Sequence, residues 1–363
     1  MRMAQFHTSD IAAVGTLALP ADADLLLVFG ARALLQSESL FPALRQACPD
    51  AVIAGCSTAG EICGTEVHDD SVVITAVSFA ATRVVLVSAT LSAQLLGEQL
   101  RHVLVLSDGL AVNGSELVQG LRTSLPAGVN VTGGLAGDGP DFGATVVIAD
   151  APAASHRIAA IGFYGERLRV GYGSLGGWDS FGPERLITRA EGNTLFELDG
   201  ESALALYKTY LGKQAEDLPS SGLLFPLALH LPDADTYVVR TILGVDEQAQ
   251  SMTFAGDMPV GARAQLMKAN FNRLVDGAIG AAENTVSQLD GHAPELAILI
   301  SCIGRKLVLQ QRIEEETEGV AEVLGARTTL TGFYSYGEIA PHSALTRCEL
   351  HNQTMTVTTF SEE

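Results

Sequence analysis

The sequence predicts an α/β protein of layered mixed β-sheets with outer helices, built from repeated β-α-β-β units and arranged as two halves. Three observations predict it. A glycine-rich turn, Gly55-Cys56-Ser57-Thr58-Ala59-Gly60-Glu61-Ile62, returns near the C-terminus as Gly332-Phe333-Tyr334-Ser335-Tyr336-Gly337-Glu338-Ile339. A looser copy stands between them at Gly133-Gly134-Leu135-Ala136-Gly137-Asp138. Each copy sits at the same place in a strand, helix, strand, turn, strand order, and three copies in one order indicate internal duplication.

The first unit begins with the apolar run Leu25 to Phe29, followed by a helical face of Leu40, Leu44 and Ala47. Ala51 to Ala54 leads into the turn, and Val72 to Val77 is the returning strand. In the second unit Val103 to Leu106 is the strand. Asn113 is the helix N-cap with Glu116 three residues on, and Leu117, Val118 and Leu121 form the apolar face. Asn130 to Thr132 enters the looser turn, with strands at Thr145 to Ile148 and Ile158 to Ile161. In the third, Leu296 to Ile300 is the strand, Ile313, Val320 and Leu324 mark a helix ended by Gly325, and Thr328 to Thr331 enters the turn. A strand from Leu350 to Phe360 closes the chain. Continuous apolar strands of this kind are covered on both faces.

The region between the second and third units reads differently. Gly171-Tyr172-Gly173-Ser174-Leu175-Gly176 is loop-like; it matches GxGxxG but lacks the following helix of a dinucleotide site. Leu204, Tyr207 and Leu211 are spaced as a helix, Thr236 to Val245 reads as a strand, and Ala262 to Leu289 as one long helix. A domain boundary is expected near Glu197, dividing the chain into 1–196 and 197–363.

Composition excludes several classes. With 22 basic against 42 acidic residues the net charge is −20, which repels phosphate backbones and anionic lipid. Nucleic acid and membrane surfaces are therefore not expected partners. The N-terminal residues lack the charge and apolar pattern of a signal peptide, and no stretch approaches a membrane span. The five cysteines form no CxxC pair, so neither a disulfide framework nor a structural zinc is expected. These readings together predict a cytoplasmic location. There is no phosphate-binding GxxxxGK[ST] loop, and the run Glu314-Glu315-Glu316 reads as a solvated helix face.

These segments together resemble the FIST family of sensory modules with N- and C-terminal halves. The resemblance rests on Val52 to Ile62 for the N-terminal half. For the C-terminal half it rests on Ser301-Cys302-Ile303-Gly304-Arg305, Gly332 to Ile339 and His351-Asn352-Gln353-Thr354. It implies a ligand-binding sensor in signal transduction rather than an enzyme, with 1–196 as the FIST N-terminal domain and 197–363 as the FIST C-terminal domain. The chain is also similar to the stand-alone NosP-type members. That similarity implies haem b as cofactor, nitric oxide as ligand, and a histidine kinase or cyclic-di-GMP enzyme as signalling partner.

Several residues are candidates for the site. A haem iron needs an axial donor, and His351 is the leading candidate, on one face of the Leu350 to Phe360 strand with Met355 and Val357. The competing reading is a core histidine bonded to backbone. Cys56, Ser57 and Thr58 stand in the first turn, where the thiol is a reactive group or a small buried one. Glu61 and Glu338, at matching places in two turns, suit paired acid–base catalysis, a ligand ammonium, or capping of neighbouring amides. Arg305 suits a carboxylate through its planar fork. Tyr334 and Tyr336 offer aromatic walls with hydroxyls, and Asn352 and Thr354 a polar strand face. Two further functions stay open: a haem-free sensor of an amino acid or similar metabolite, and an enzyme using Cys56 or the Glu61/Glu338 pair.

Overall fold

The computed structural model describes residues 1–88, 95–126, 128–231, 237–341 and 348–362. A leading strand β1 (Arg2–Thr8) and helix α1 (Ile11–Val14) precede the first repeat. That repeat is β2 (Leu25–Gly30), the short helices α2 (Arg32–Leu35) and α3 (Leu40–Ala47), β3 (Val52–Ser57), a hairpin of β4 (Glu61–Cys63) and β5 (Glu66–His68), and β6 (Val72–Ser78). After β7 (Arg83–Ser88) the second repeat has β8 (Leu100–Ser107), α4 (Gly114–Ser124), β9 (Asn130–Leu135), β10 (Val147–Ala149) and β11 (Ile158–Tyr164). Asn113 caps α4 as expected, its Oδ1 accepting from the amides of Ser115 and Glu116.

β12 (Leu168–Leu175) leads to an accessory region of β13 (Asp179–Glu191), β14 (Thr194–Leu198), β15 (Glu201–Ser202), α5 (Ala203–Leu211), β16 (Leu227–His230), β17 (Tyr237–Arg240), β18 (Ile242–Asp246), β19 (Ser251–Phe254) and β20 (Arg263–Lys268). Helix α6 (Phe271–Val286) returns the chain to the core. The third repeat is β21 (Leu296–Cys302), α7 (Ile303–Leu309), α8 (Glu314–Leu324), β22 (Thr329–Ser335), β23 (Gly337–Pro341), β24 (Cys348–His351) and β25 (Met355–Glu362).

Each repeat makes the same local sheet. Its first two strands are parallel, and its last lies antiparallel to the first: β2 with β3 and β6, β8 with β9 and β11, β21 with β22 and β25. The segment after the second strand crosses to another repeat. The opening glycine of each turn pairs with an isoleucine from elsewhere: Gly332 with Ile62, Gly55 with Ile148, and Gly133 with Ile339. The exchange is cyclic, and the three sheets are related by an approximate three-fold axis. The glycines are required, because a Cβ at Gly55, Gly133 or Gly332 would lie 1.9, 1.9 or 1.8 Å from the carbonyl oxygen of Val28, Val105 or Leu299. The second turn is the looser copy because a longer loop separates Gly133 from Ile148 than separates Gly55 from Ile62.

Strand periodicity divides the core. Leu25, Leu27 and Phe29 join Leu104, Leu106, Leu296, Ile298 and Ile300 in one cluster between the three sheets. The alternate residues Leu26 and Val28 pack under α3, and Val103, Val105, Ala297 and Leu299 lie under α4, α6 and α8. Both faces are therefore covered, as continuous apolar runs require.

The structure corrects four local expectations. The Gly171–Gly176 segment falls largely within β12, a strand along β25. Its glycines admit α6, since a Cβ at Gly171 or Gly173 would stand 2.2 Å from the Thr285 carbonyl or 2.3 Å from that of Ala281. The long helix from Ala262 is a strand, β20, followed by α6, whose N-cap Asn270 accepts from the Arg273 amide. The strand from Thr236 breaks at Thr241 into β17 and β18, and Thr236 itself lies outside the described residues. The closing strand is two strands in different sheets, β24 and β25, separated by a turn in which Gln353 has φ +62°. Glu197, where the sequence places the boundary, lies inside β14, which pairs with β13 and β19 of the accessory sheet.

Candidate functional site

The three glycine-rich turns meet at the approximate three-fold axis and bond to one another in a ring. The amide of Ala59 donates to the Tyr334 carbonyl at 2.8 Å, that of Tyr336 to Leu135 at 3.1 Å, and that of Gly137 to Ser57 at 2.8 Å. These donors and acceptors hold matching positions in the repeats. Cys56, Ser57, Thr58, Glu61, Tyr334, Tyr336 and Glu338 are all brought to this ring, and all are buried.

Both glutamates are locked in their own repeats. Glu61 accepts from the hydroxyls of Thr58 and Ser71, the latter at 2.7 Å. Glu338 accepts from Ser335 at 2.6 Å and from the hydroxyl and amide of Thr354 at 2.9 and 3.2 Å. Ser71 and Thr354 each immediately precede the last strand of their repeat, so one carboxyl ties the turn to the returning chain in both. In the second repeat Val147 pairs opposite Cys56, at the glutamate's place, and Asp108 does the tying instead. It accepts from the Thr145 hydroxyl and from the amides of Leu110, Ala111 and His156. Burial outweighs the hydroxyl donors and raises the Glu61 carboxyl to about 7 and that of Glu338 to about 8. The two glutamates lie in different sheets, β4 with β22 and β23 with β9.

Arg305 is fully buried and faces an internal partner. Nε and Nη2 donate to Glu316 at 3.0 and 2.8 Å, Nη2 also to the Leu274 carbonyl at 2.6 Å, and Nη1 to the carbonyls of Gly176 and Gln353. Its fork is filled by the protein's own groups. Glu316 is a correction: it lies on the buried stripe of α8 with Val320 and Leu324, whereas Glu314 is exposed. The four-residue spacing 316, 320, 324 carried that signal in the sequence. The same carboxylate accepts from Ser301 at 3.0 Å and from the Tyr334 hydroxyl at 2.7 Å. Tyr336 turns the other way, donating to the Gly139 carbonyl at 2.9 Å under the ring of Phe142. Lys306, which the sequence pattern did not single out, reaches the Ala59 carbonyl at 2.9 Å, pairs with Asp69 and lies 5.5 Å from the Tyr334 ring centroid.

Nucleophilic chemistry has little support in this geometry. Cys56 sits in the apolar cluster with Phe29 and Ala54, and burial pushes its thiol well up. Burial likewise pushes up Cys302. Among the described residues no group of three His, Cys, Asp or Glu is arranged to hold a metal ion.

The structure places His351 in the core, bonded to backbone. The ring is fully buried, and its Nε2 lies 2.8 Å from the Ala340 carbonyl, across the β23–β24 pair. A carbonyl accepts only, so Nε2 carries the proton. Because β24 and β25 belong to different sheets, His351 does not share a strand face with Met355 and Val357.

Thr354 is spent on Glu338, whereas Asn352 is left over. It is fully buried beside Gly337, and neither its Nδ2 nor its Oδ1 has a hydrogen-bond partner among the described residues. Such a group costs free energy unless something fills its valences.

No helix among the described residues is long and apolar enough to cross a membrane. No curated protein matches the chain. Among solved structures, the cyanuric acid hydrolase from A. caulinodans aligns over 99% of both chains at 10% identity with a TM-score of 0.31, a likeness too slight to argue from. The FIST N domain matches residues 24–201 and the FIST C domain residues 203–341. Spanning most of its length with both domains in order, the chain belongs to the FIST family.

Proposed function

We propose that the protein is a FIST-type sensor that binds a small metabolite without haem and passes the bound state to a signalling partner. The observation that carries this reading is Asn352, a fully buried amide with both ends unmatched among the described residues, in a core whose carboxylates are otherwise tied. An unmatched buried polar side chain costs about 1–3 kcal/mol. It is kept where a ligand or ordered water completes it. The glutamates, each held by hydroxyls, and the apolar surroundings of Cys56 favour binding over catalysis.

Ligand binding here would bear on the whole core, because the turn between β24 and β25 touches two sheets and the accessory region at once. Gln353 accepts from the Trp178 indole at 2.8 Å through its carbonyl, and its side chain reaches the Leu223 carbonyl at 3.4 Å. A ligand that favours one arrangement of this turn shifts the population of arrangements offered to a partner.

The test is a thermal-shift screen of the full chain against a metabolite panel, paired with Asn352→Leu. We expect one compound to raise Tm with saturation, and Asn352→Leu to abolish the rise without lowering the ligand-free Tm. A panel with no saturable response, or an Asn352→Leu variant that responds like wild type, would overturn the reading.

A further inference from the structure

The two buried arginines of the described residues are not alike. Arg305 has its carboxylate in Glu316. Arg240, only 7% exposed, has none among the described residues. Its Nη1 donates to the carbonyls of Val239 and Leu350 at 3.1 and 3.0 Å, and its Nε to that of Asp257 at 3.3 Å. Asp257 and Glu349 lie near enough to be felt but do not pair with it, and Glu349 is engaged by Arg122. Burial lowers the guanidinium to about 10, so it remains charged. A buried charge without a counter-ion is costly.

The surroundings of Arg240 repeat the pattern. Thr241, the next residue, has a buried hydroxyl with no partner among the described residues, and the Gln353 Oε1 is likewise unmatched. Arg240 bonds the Leu350 carbonyl, two residues before Asn352, where the accessory strand β17 meets β24. The first turn of α4 closes on the same seam. The Ser115 hydroxyl accepts from the Asp257 amide at 3.4 Å, while the Asp257 carbonyl accepts from Arg240. The positive end of an eleven-residue helix therefore adds to the field there.

We infer that the seam between the accessory sheet and the repeat core is an anion site, in which Arg240 takes the carboxylate or phosphate of a small metabolite and the Asn352 amide bonds its polar remainder. This inference rests on the small-ligand reading above and names its chemical class. It moves the anion-binding role from Arg305, whose fork is filled, to the buried arginine that pairs with no carboxylate among the described residues.

The experiment is thermal-shift titration of the full chain with succinate and with inorganic phosphate, at constant ionic strength set by chloride. Wild type, Arg240→Met and Arg240→Lys are compared. One of the two anions is expected to raise the wild-type Tm with saturation while chloride does not, and the responding anion tells carboxylate from phosphate. Arg240→Met should weaken the apparent Kd by about tenfold or more, the equivalent of one lost charge-assisted hydrogen bond. Arg240→Lys should recover part of it. If Arg240→Met does not fold, the Lys variant and Asn352→Leu carry the test: both must bind the responding anion more weakly than wild type. Neither anion shifting the wild type, or an equal shift in wild type and the Arg240 variants, overturns the assignment. A neutral metabolite that binds wild type and Arg240→Met alike overturns the anion class and spares the sensor reading. No saturable ligand of any charge overturns both.

Discussion

At the scale of single residues the core is held by buried polar groups whose balance can be upset one at a time. Arg305→Met leaves Glu316 buried without its cation and is expected to cost about 3–5 kcal/mol in urea denaturation. The double change Arg305→Met with Glu316→Leu should recover most of that loss, because both desolvation penalties leave together. Glu61 and Glu338 give the stability a pH dependence of definite sign. Their folded values, about 7 and about 8, lie above the ordinary glutamate value of 4.5, so the native state binds more protons than the unfolded chain between these values. This contribution is fully present below about 4.5 and is lost as pH rises through 7 and then 8. Stability is therefore expected to fall between about pH 5 and 9 by an amount on the order of a few kcal/mol, and Glu338→Gln to flatten the upper half of the fall. A profile that rises over this range would remove the protonated carboxyls from the account. For His351, haemin titration is expected to yield no stoichiometric Soret band. A one-to-one band that disappears in His351→Ala would restore the haem reading.

At the scale of elements, the accessory region and the glycines of β12 show how packing decides what a local pattern becomes. A repeated small residue reads as loop in isolation. Here Gly171 and Gly173 let α6 lie directly on a strand, because any side chain would meet the helix's own carbonyls. Gly173→Ala is expected to destabilise by about 1–3 kcal/mol, the usual cost of overpacking, whereas an alanine at exposed Gly120, inside α4 with open space around it, should stabilise by about 0.5–1 kcal/mol through helix propensity. A comparison of denaturation midpoints checks both. The accessory sheet has a related property. Its end strands β17 and β18 are consecutive in the chain, joined by Thr241 alone, so the sheet must curl to keep both ends in register. It encloses a separate apolar cluster that includes Ile187, Tyr207, Met252 and Phe254.

At the scale of the molecule, the cyclic exchange of strands makes the two FIST domains one folding unit. β4 and β5, from the N domain, complete the sheet of β21 and β22, and β23 of the C domain completes the sheet of β8 and β9. Neither domain can leave without stripping a strand from the other. Chemical denaturation is expected to be a single transition, with far-UV circular dichroism and the fluorescence of Trp178 coinciding. The indole is a fitting probe because it bonds the Gln353 carbonyl, at the turn where core and accessory region meet. Separate transitions would show that the halves fold independently.

The sequence by itself determined the repeat, the strand-helix-strand order within it, the glycines that open each turn and the matching of Glu61 with Glu338. All of these are local, set by side-chain period and by the steric demand of a close backbone approach. Only the tertiary structure decided which sheet each hairpin joins, because strand exchange is a pairing between distant segments that leaves no mark on local pattern. It alone showed that Arg305 pairs with Glu316 while Arg240 pairs with no carboxylate among the described residues. Both arginines look the same along the chain; what separates them is the charge that folding brings, or fails to bring, within reach of the guanidinium. Asn352 was legible as a polar residue near the closing strand, but its unmatched amide was not. Whether a buried group is satisfied depends on every segment packed around it.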